Sequence, residues 1–112
     1  PFALANGDTL DFTGPLGSFR VSVATADFAE ISEATAEELA ALLNADANFQ
    51  ANGLRASDVG GRLVVQTQTA GTTATFTLDG GTAISELGWT GGTTLTGKTT
   101  GVSPTLGGSY AG

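Results

Sequence analysis

One segment, Ala34-Thr35-Ala36-Glu37-Glu38-Leu39-Ala40-Ala41-Leu42-Leu43-Asn44, reads as a well-specified helix, and it dictates what must surround it. Thr35 followed three residues later by Glu38 forms a capping box, in which each side chain satisfies an orphan amide at the helix start. Leu39, Leu42 and Leu43 then fall at i, i+3 and i+4 and make one apolar stripe, while Glu37 and Glu38 occupy the first turn, where the helix dipole favours negative charge. A single striped helix cannot bury itself, so the rest of the chain has to supply a sheet for it to cover. The spacing predicts a helix over Thr35–Ala47, stopped near Asn52-Gly53 with Phe49 folding back onto it.

Period-two runs supply that sheet. Thr9-Leu10-Asp11-Phe12-Thr13 and Ser18-Phe19-Arg20-Val21-Ser22-Val23 flank Gly14-Pro15-Leu16-Gly17, a hairpin signal with four loop residues. Leu10, Phe12, Phe19, Val21 and Val23 share the face expected to be buried; Arg20 and Ser22 face water. Phe2 and Leu4, ahead of the turn at Ala5-Asn6-Gly7-Asp8, form a short pairing segment. From Thr25 to Glu33 the alternation breaks, and Phe28 and Ile31 at i and i+3, with Asp27 as a cap, read as one helical turn closing the end of the core.

A second hairpin runs from Gly53–Val59 to Arg62–Thr69 around Gly60-Gly61, a two-residue connection suited to a primed turn. Thr73-Ala74-Thr75-Phe76-Thr77-Leu78 alternates most cleanly of all, with Ala74, Phe76 and Leu78 inward. Thr82 is placed to cap a short helix carrying Ile84 and Leu87, which Gly88 stops, and Trp89 follows as either a core-rim anchor or an interface residue. Beyond it, Thr90–Gly112 is mostly Gly, Thr and Ser, with Leu95, Val102, Leu106 and Tyr110 as its sizeable apolar side chains. Such a stretch cannot offset its own ordering entropy. It is read as either disordered or an arm held by a neighbouring subunit, and Trp89, Leu95, Val102, Leu106 and Tyr110 are the interface candidates. The fold expected is therefore α+β over residues 1–91, a mostly antiparallel sheet of two hairpins and a further strand covered on one face by the main helix, with an extended arm over residues 92–112.

Composition narrows the chemistry. A chain of 112 residues supports one core. Charged residues are 13%, about half the usual share, so Thr, Ser, Asn and Gln must dress the surface. Net charge is −7, and the four cations Arg20, Arg55, Arg62 and Lys98 are scattered. Phosphate neutralisation drives nucleic-acid affinity, so direct DNA or RNA binding is not expected. With no Cys, His or Met, thiol catalysis, Ser-His triads, imidazole bases and Cys/His zinc sites drop out. No apolar run approaches the ~20 residues that span a bilayer, and Pro1-Phe2-Ala3-Leu4 lacks signal-peptide regions. A proline start fits either loss of an initiator methionine or a processed fragment.

Three motifs invite chemistry and lack its context. Gly92-Thr93-Thr94-Leu95-Thr96-Gly97-Lys98-Thr99 matches the phosphate-loop pattern, without the preceding buried strand and following helix that the mechanism needs. Asn44-Ala45-Asp46-Ala47-Asn48 has 1-3-5 calcium-loop spacing, but Phe49 stands at the sixth position and Arg55 at the twelfth. Glu30/Glu33 and Glu37/Glu38 lie on the exposed side of a turn or helix, where no cleft desolvates one of them. No catalytic, metal or cofactor residue is assigned.

The order Gly7-Asp8-Thr9-Leu10, Phe19-x-Val21-x-Val23, Ala26–Ile31, Ala34–Ala40, Leu42-Leu43-Asn44, Gly60-Gly61-Arg62-Leu63-Val64 and Thr82–Trp89 resembles a small domain that recurs in structural proteins of tailed bacteriophages. Similar helix and hairpin segments occur in some flagellar hook-associated proteins. The similarity covers about residues 2–91. It implies a non-enzymatic virion component, a capsid-decoration, tail or baseplate subunit, assembled in the host cytoplasm and contacting a major capsid or tail protein and copies of itself, with no membrane partner. A flagellar hook-associated structural domain, a surface- or carbohydrate-binding adhesin module and, last, an acidic hydrolase are the alternatives.

Overall fold

Both expected hairpins form. In the computed structural model, which describes residues 1–110, strands β1 (Thr9–Gly14) and β2 (Gly17–Ser22) pair antiparallel with Leu10 opposite Val21 and Phe12 opposite Phe19. Gly14 and Gly17 are themselves partners, so Pro15-Leu16 alone makes the turn, tighter than the four-residue loop expected. Strands β3 (Leu54–Val59) and β4 (Arg62–Thr67) pair around Gly60 and Gly61, whose φ values of 61° and 87° are those a primed turn demands and only glycine adopts cheaply.

The hairpins belong to two different antiparallel sheets, not one. β1 also pairs with β5 (Thr75–Gly80), which pairs with β6 (Thr93–Thr96), giving the order β2-β1-β5-β6. β4 also pairs with β7 (Thr105–Tyr110), giving β3-β4-β7. The segment expected to lie outside the domain as an arm thus supplies one of the two outer strands of each sheet within its own chain. The tail does not have to order alone, because β5 and β4 offer it strands to pair with. Docked on an existing strand, it gains ladder hydrogen bonds, and Leu95 and Leu106 need add only one apolar anchor each, opposite Phe76 and Val65.

The capping box forms as read: Thr35 Oγ1 accepts from the Glu38 amide at 3.1 Å, and Glu38 Oε1 accepts from the Thr35 amide at 3.1 Å. Helix α1 (Ala36–Ala45) ends earlier than expected, because Asp46 turns extended and its carboxylate accepts from the Phe49 amide at 2.9 Å, capping a second short helix, α2 (Ala47–Ala51). α1 buries Leu39 and Leu43 and packs on β3 and β4. It clamps one hairpin rather than both. The other is reached from α2, where Phe49 meets Phe12 edge-on at 5.7 Å and Phe12 stacks on Phe19 at 5.6 Å.

Between β2 and α1 the chain makes two short 3-10 turns, Thr25–Asp27 and Ile31–Glu33, in place of the single helical turn expected. Phe28 is buried and Ile31 half-buried, so both residues still close the core. Phe2 bridges Ala34, which places the N-terminal segment against the start of α1. Thr82 does not cap α3 (Ile84–Leu87): its hydroxyl accepts from the Thr9 amide at 3.0 Å and donates to Asp8, tying the β5–α3 connection to the start of β1. Gly88 ends α3 as expected. Among the described residues no helix is long and apolar enough to cross a membrane.

Candidate functional site

Strand alternation gives the four-stranded sheet one apolar face and one hydroxyl-rich face. Leu10, Phe12, Val21, Phe76 and Leu78 are buried on the inner side. Their neighbours face out and bond to one another across the ladder. Thr77 and Thr94 hydroxyls meet at 2.9 Å, Thr13 meets Ser18 at 2.8 Å and also donates to Asp79, and the Arg20 guanidinium makes a two-pronged contact with Asp11 at 2.7 and 3.2 Å. Threonine suits such a surface because its branched Cβ favours the strand while its hydroxyl finds a cross-strand partner. The result is a polar face with little apolar area and one internally neutralised ion pair.

The sheet edges are treated unequally. β3 is shielded at its start by side-chain amides. Asn44, in the last turn of α1, donates to the Ala56 carbonyl at 2.9 Å and accepts from the Ala56 amide at 2.8 Å, standing in for the strand that is missing there. Gln68 Nε2 donates to the Leu54 carbonyl at 3.1 Å. β2, β6 and β7 end their sheets with no further strand beside them among the described residues. Unpaired edges of this kind are templates for another chain's backbone. Exposed apolar side chains stand at three connections: Leu16 (73% exposed) in the β1–β2 turn, Val59 (57%) beside the β3–β4 turn and Val102 (52%) between β6 and β7.

Two clefts accompany these edges. One, of ≈ 610 Å³, lies at the C-terminal end of α1 and is lined by Asn44, Gln50, Leu54, Arg55 and Gln68. The other, of ≈ 250 Å³, lies where the β1–β2 turn meets Asn52 and the Thr67–Thr75 region. Asn52 is buried there, accepting from the Leu16 amide at 2.8 Å and donating to the Asn48 carbonyl at 2.9 Å. Neither cleft brings two carboxylates together, and no group of three or more acidic residues able to hold a metal ion occurs among the described residues.

The five interface candidates separate. Trp89 is 6% exposed and packs beneath β7, where a side chain at Gly108 would come within 2.8 Å of its indole Nε1. Its indole N–H has no hydrogen-bond partner among the described residues. Leu106 is buried and Leu95 half-buried, both against this chain's own core. Val102 alone of the described four is exposed. Tyr110 has its backbone in β7 opposite Arg62, while the expectation for its side chain lies outside the described residues. Trp89 is therefore a core residue, unavailable either to a partner or to a stacked sugar.

The chemical motifs resolve into structure. The phosphate-loop match is strand β6 followed by turns, and a Cβ at Gly97 would collide with the Gly71 carbonyl, so the segment is pressed against its own chain rather than cradling a ligand. In the calcium-like run, Asn44 is committed to Ala56 and Asp46 to capping α2. Glu38 takes amide hydrogen bonds from Ala29 at 2.8 Å and from Thr35, which hold its carboxyl below the usual range. Asn44 and Arg55 are the features that reading the sequence missed as surface-forming residues. Their signal is absent from local pattern, since Asn44 meets a strand residue 12 positions away. No family model, no curated protein and no solved structure matches this chain.

Proposed function

We propose that this chain is a non-enzymatic structural subunit of a bacteriophage particle, a capsid-decoration or tail-accessory protein that works through repeated contacts with other virion proteins and with copies of itself. The observation that carries the reading is the combination of three open outer strands, β2, β6 and β7, with a β3 edge shielded by Asn44 and Gln68. Backbone edges that are left open on a small, hydroxyl-surfaced domain offer contacts that depend little on side-chain identity, which is what a subunit used in many equivalent positions requires. The ordered resemblance of residues 2–91 to a phage structural domain supports the same conclusion.

The test is quantitative mass spectrometry of purified particles. A fixed copy number per particle, in simple ratio to the major capsid or tail protein, is the expected result. Absence from particles, or glycan binding by the isolated monomer, would count against it.

A further inference from the structure

The two strands of the glycine- and threonine-rich tail are held differently. β6 is tied down where it ends, since Gly97 lies so close to the Gly71 carbonyl that a Cβ there would collide with it. β7 is the last strand of the described chain, and among the described residues β4 is its only strand partner. Pro104 and Leu106 are its buried anchors, while Gly107 and Gly108 lose more conformational freedom on ordering than any other residue type. Every residue between Gly97 and Pro104 is exposed or half-buried. That connection turns where the Gly101 amide donates to the Lys98 carbonyl at 3.0 Å, and it returns through Ser103 Oγ, which donates to the Thr69 carbonyl at 3.2 Å. Straightened at ~3.3 Å per residue, Lys98–Ser103 spans about 20 Å, close to the molecule's shortest extent of 22 Å.

The groove under β7 is selective for what covers it. Gly108 passes where a Cβ would stand 2.8 Å from Trp89 Nε1 and 2.9 Å from the Leu87 carbonyl, while Leu106 lies opposite the buried Val65. A strand with a side chain at the Gly108 position collides, so the groove is keyed to a glycine two residues after a leucine, and Leu106-Gly107-Gly108 supplies that key. Lifting β7 puts the Trp89 indole and the β4 edge in water, which favours re-covering by a matching strand. We propose that β7 is an exchangeable strand, which leaves its own β4 and takes the same place on β4 of a second copy of this chain. This rests on the self-association in the proposed function and names the segment that makes it.

A second copy is the occupant because strand and groove are already matched within one chain. Exchange carries the same ladder hydrogen bonds and the same burial of Leu106 from within a chain to between two, so its cost reduces to the turn in the connection and to the freedom lost on association. Protein concentration then sets the balance. An unrelated strand would have to reproduce the glycine over Trp89. β7 lies at the outside of its sheet and at the end of the described chain, so it leaves β4 without separating any other strand pair, and opening is a local event. Reciprocal exchange closes a pair of copies; exchange passed from copy to copy makes a ring or an open chain.

The test uses the full chain, which has no cysteine of its own, with one introduced disulfide. Gln66 and Thr105 face each other across β4 and β7, and the Thr67 amide donates to the Pro104 carbonyl at 3.3 Å beside them. That pattern marks a non-hydrogen-bonded pair, with Cα atoms about 4.5 Å apart and within disulfide reach. Gln66→Cys/Thr105→Cys, oxidised while dilute, locks β7 to its own β4. After refolding from urea at high concentration, sedimentation should show association of the wild type and of the reduced double variant, and its loss in the oxidised one; cooperative unfolding of each confirms that it is folded. In a second measurement the single variants Gln66→Cys and Thr105→Cys are refolded together and then oxidised, and disulfides joining the two different chains should exceed the share that random pairing gives. An oxidised double variant that associates as strongly as the reduced one, or a mixture at the random share, overturns strand exchange and leaves association through other surfaces standing. A wild-type chain that stays monomeric at every concentration also overturns it, while particle copy number judges the proposed function separately.

Discussion

Replacing Asn44 with alanine tests whether a side chain really takes the place of a strand at the β3 edge. The amide makes two hydrogen bonds to Ala56, at 2.9 and 2.8 Å, and Ala56 is a buried residue. At about 1 kcal/mol net for each bond, their loss costs about 2 kcal/mol. Alanine is the better helix former and returns about 0.6 kcal/mol in the last turn of α1. The difference is about 1.5 kcal/mol, rising toward about 3 kcal/mol if Ala56's freed groups stay dry. For a domain of this size that lowers the melting temperature by roughly 6 °C or more. Urea and thermal unfolding followed by far-UV circular dichroism and by the fluorescence of Trp89, the single tryptophan, give the number directly. Asn48→Ala, at an exposed position in α2, is the control and should stay within about 0.5 kcal/mol. If Asn44→Ala unfolds with the wild-type midpoint, the clamp at Ala56 contributes nothing and the account of the shielded edge is wrong.

Two further outcomes follow from the same geometry. Gly108→Ala should destabilise by about 1–3 kcal/mol and shift Trp89 emission, because the new methyl would lie 2.8 Å from the indole Nε1 and 2.9 Å from the Leu87 carbonyl; Gly107→Ala, which meets no atom within 4 Å, should do neither, and equal behaviour of the two would refute the packing of β7 over Trp89. Glu38 has its carboxyl lowered first by the Ala29 amide and then by the Thr35 amide, so its charged form is favoured by folding. The stability it confers is present above the unfolded value of about 4.3 and is lost as pH falls through the lower folded value, so the gap between wild type and Glu38→Gln should be full at neutral pH and close in acid; a gap independent of pH would contradict this origin.

Local pattern carried far in this chain wherever the cause was local. The Thr35–Glu38 box is an interaction between residues three apart, and Gly60-Gly61 needs only its own positive φ. The alternation of Leu10 and Phe12, and of Phe76 and Leu78, reports a sheet face whichever strands lie beside it, so the buried residues were legible together with the α+β class. The break at Asp46 was nearly so: Asp46 followed by Phe49 is a cap spacing, obscured because the preceding leucines favoured one long helix.

What the tertiary structure decided was partnership. Strand identity does not encode which edge a strand joins, so the division into two sheets, with β5 beside β1 and β7 beside β4, emerges only in the folded chain. The same reason explains the tail. Thr93–Thr96 and Thr105–Tyr110 are too poor in apolar residues to order alone, and they order because the hairpins present edges to them. It explains Trp89, placed in the core by the strand that crosses over it, and Asn44 and Arg55, whose surroundings are assembled from separate elements. Sequence by itself determined the elements and their inward faces, since those depend on neighbours a few residues apart. The edges left open, the surroundings of Asn44 and Arg55 and the fate of the threonine-rich tail depend on contacts between distant residues, and only the fold brings those together.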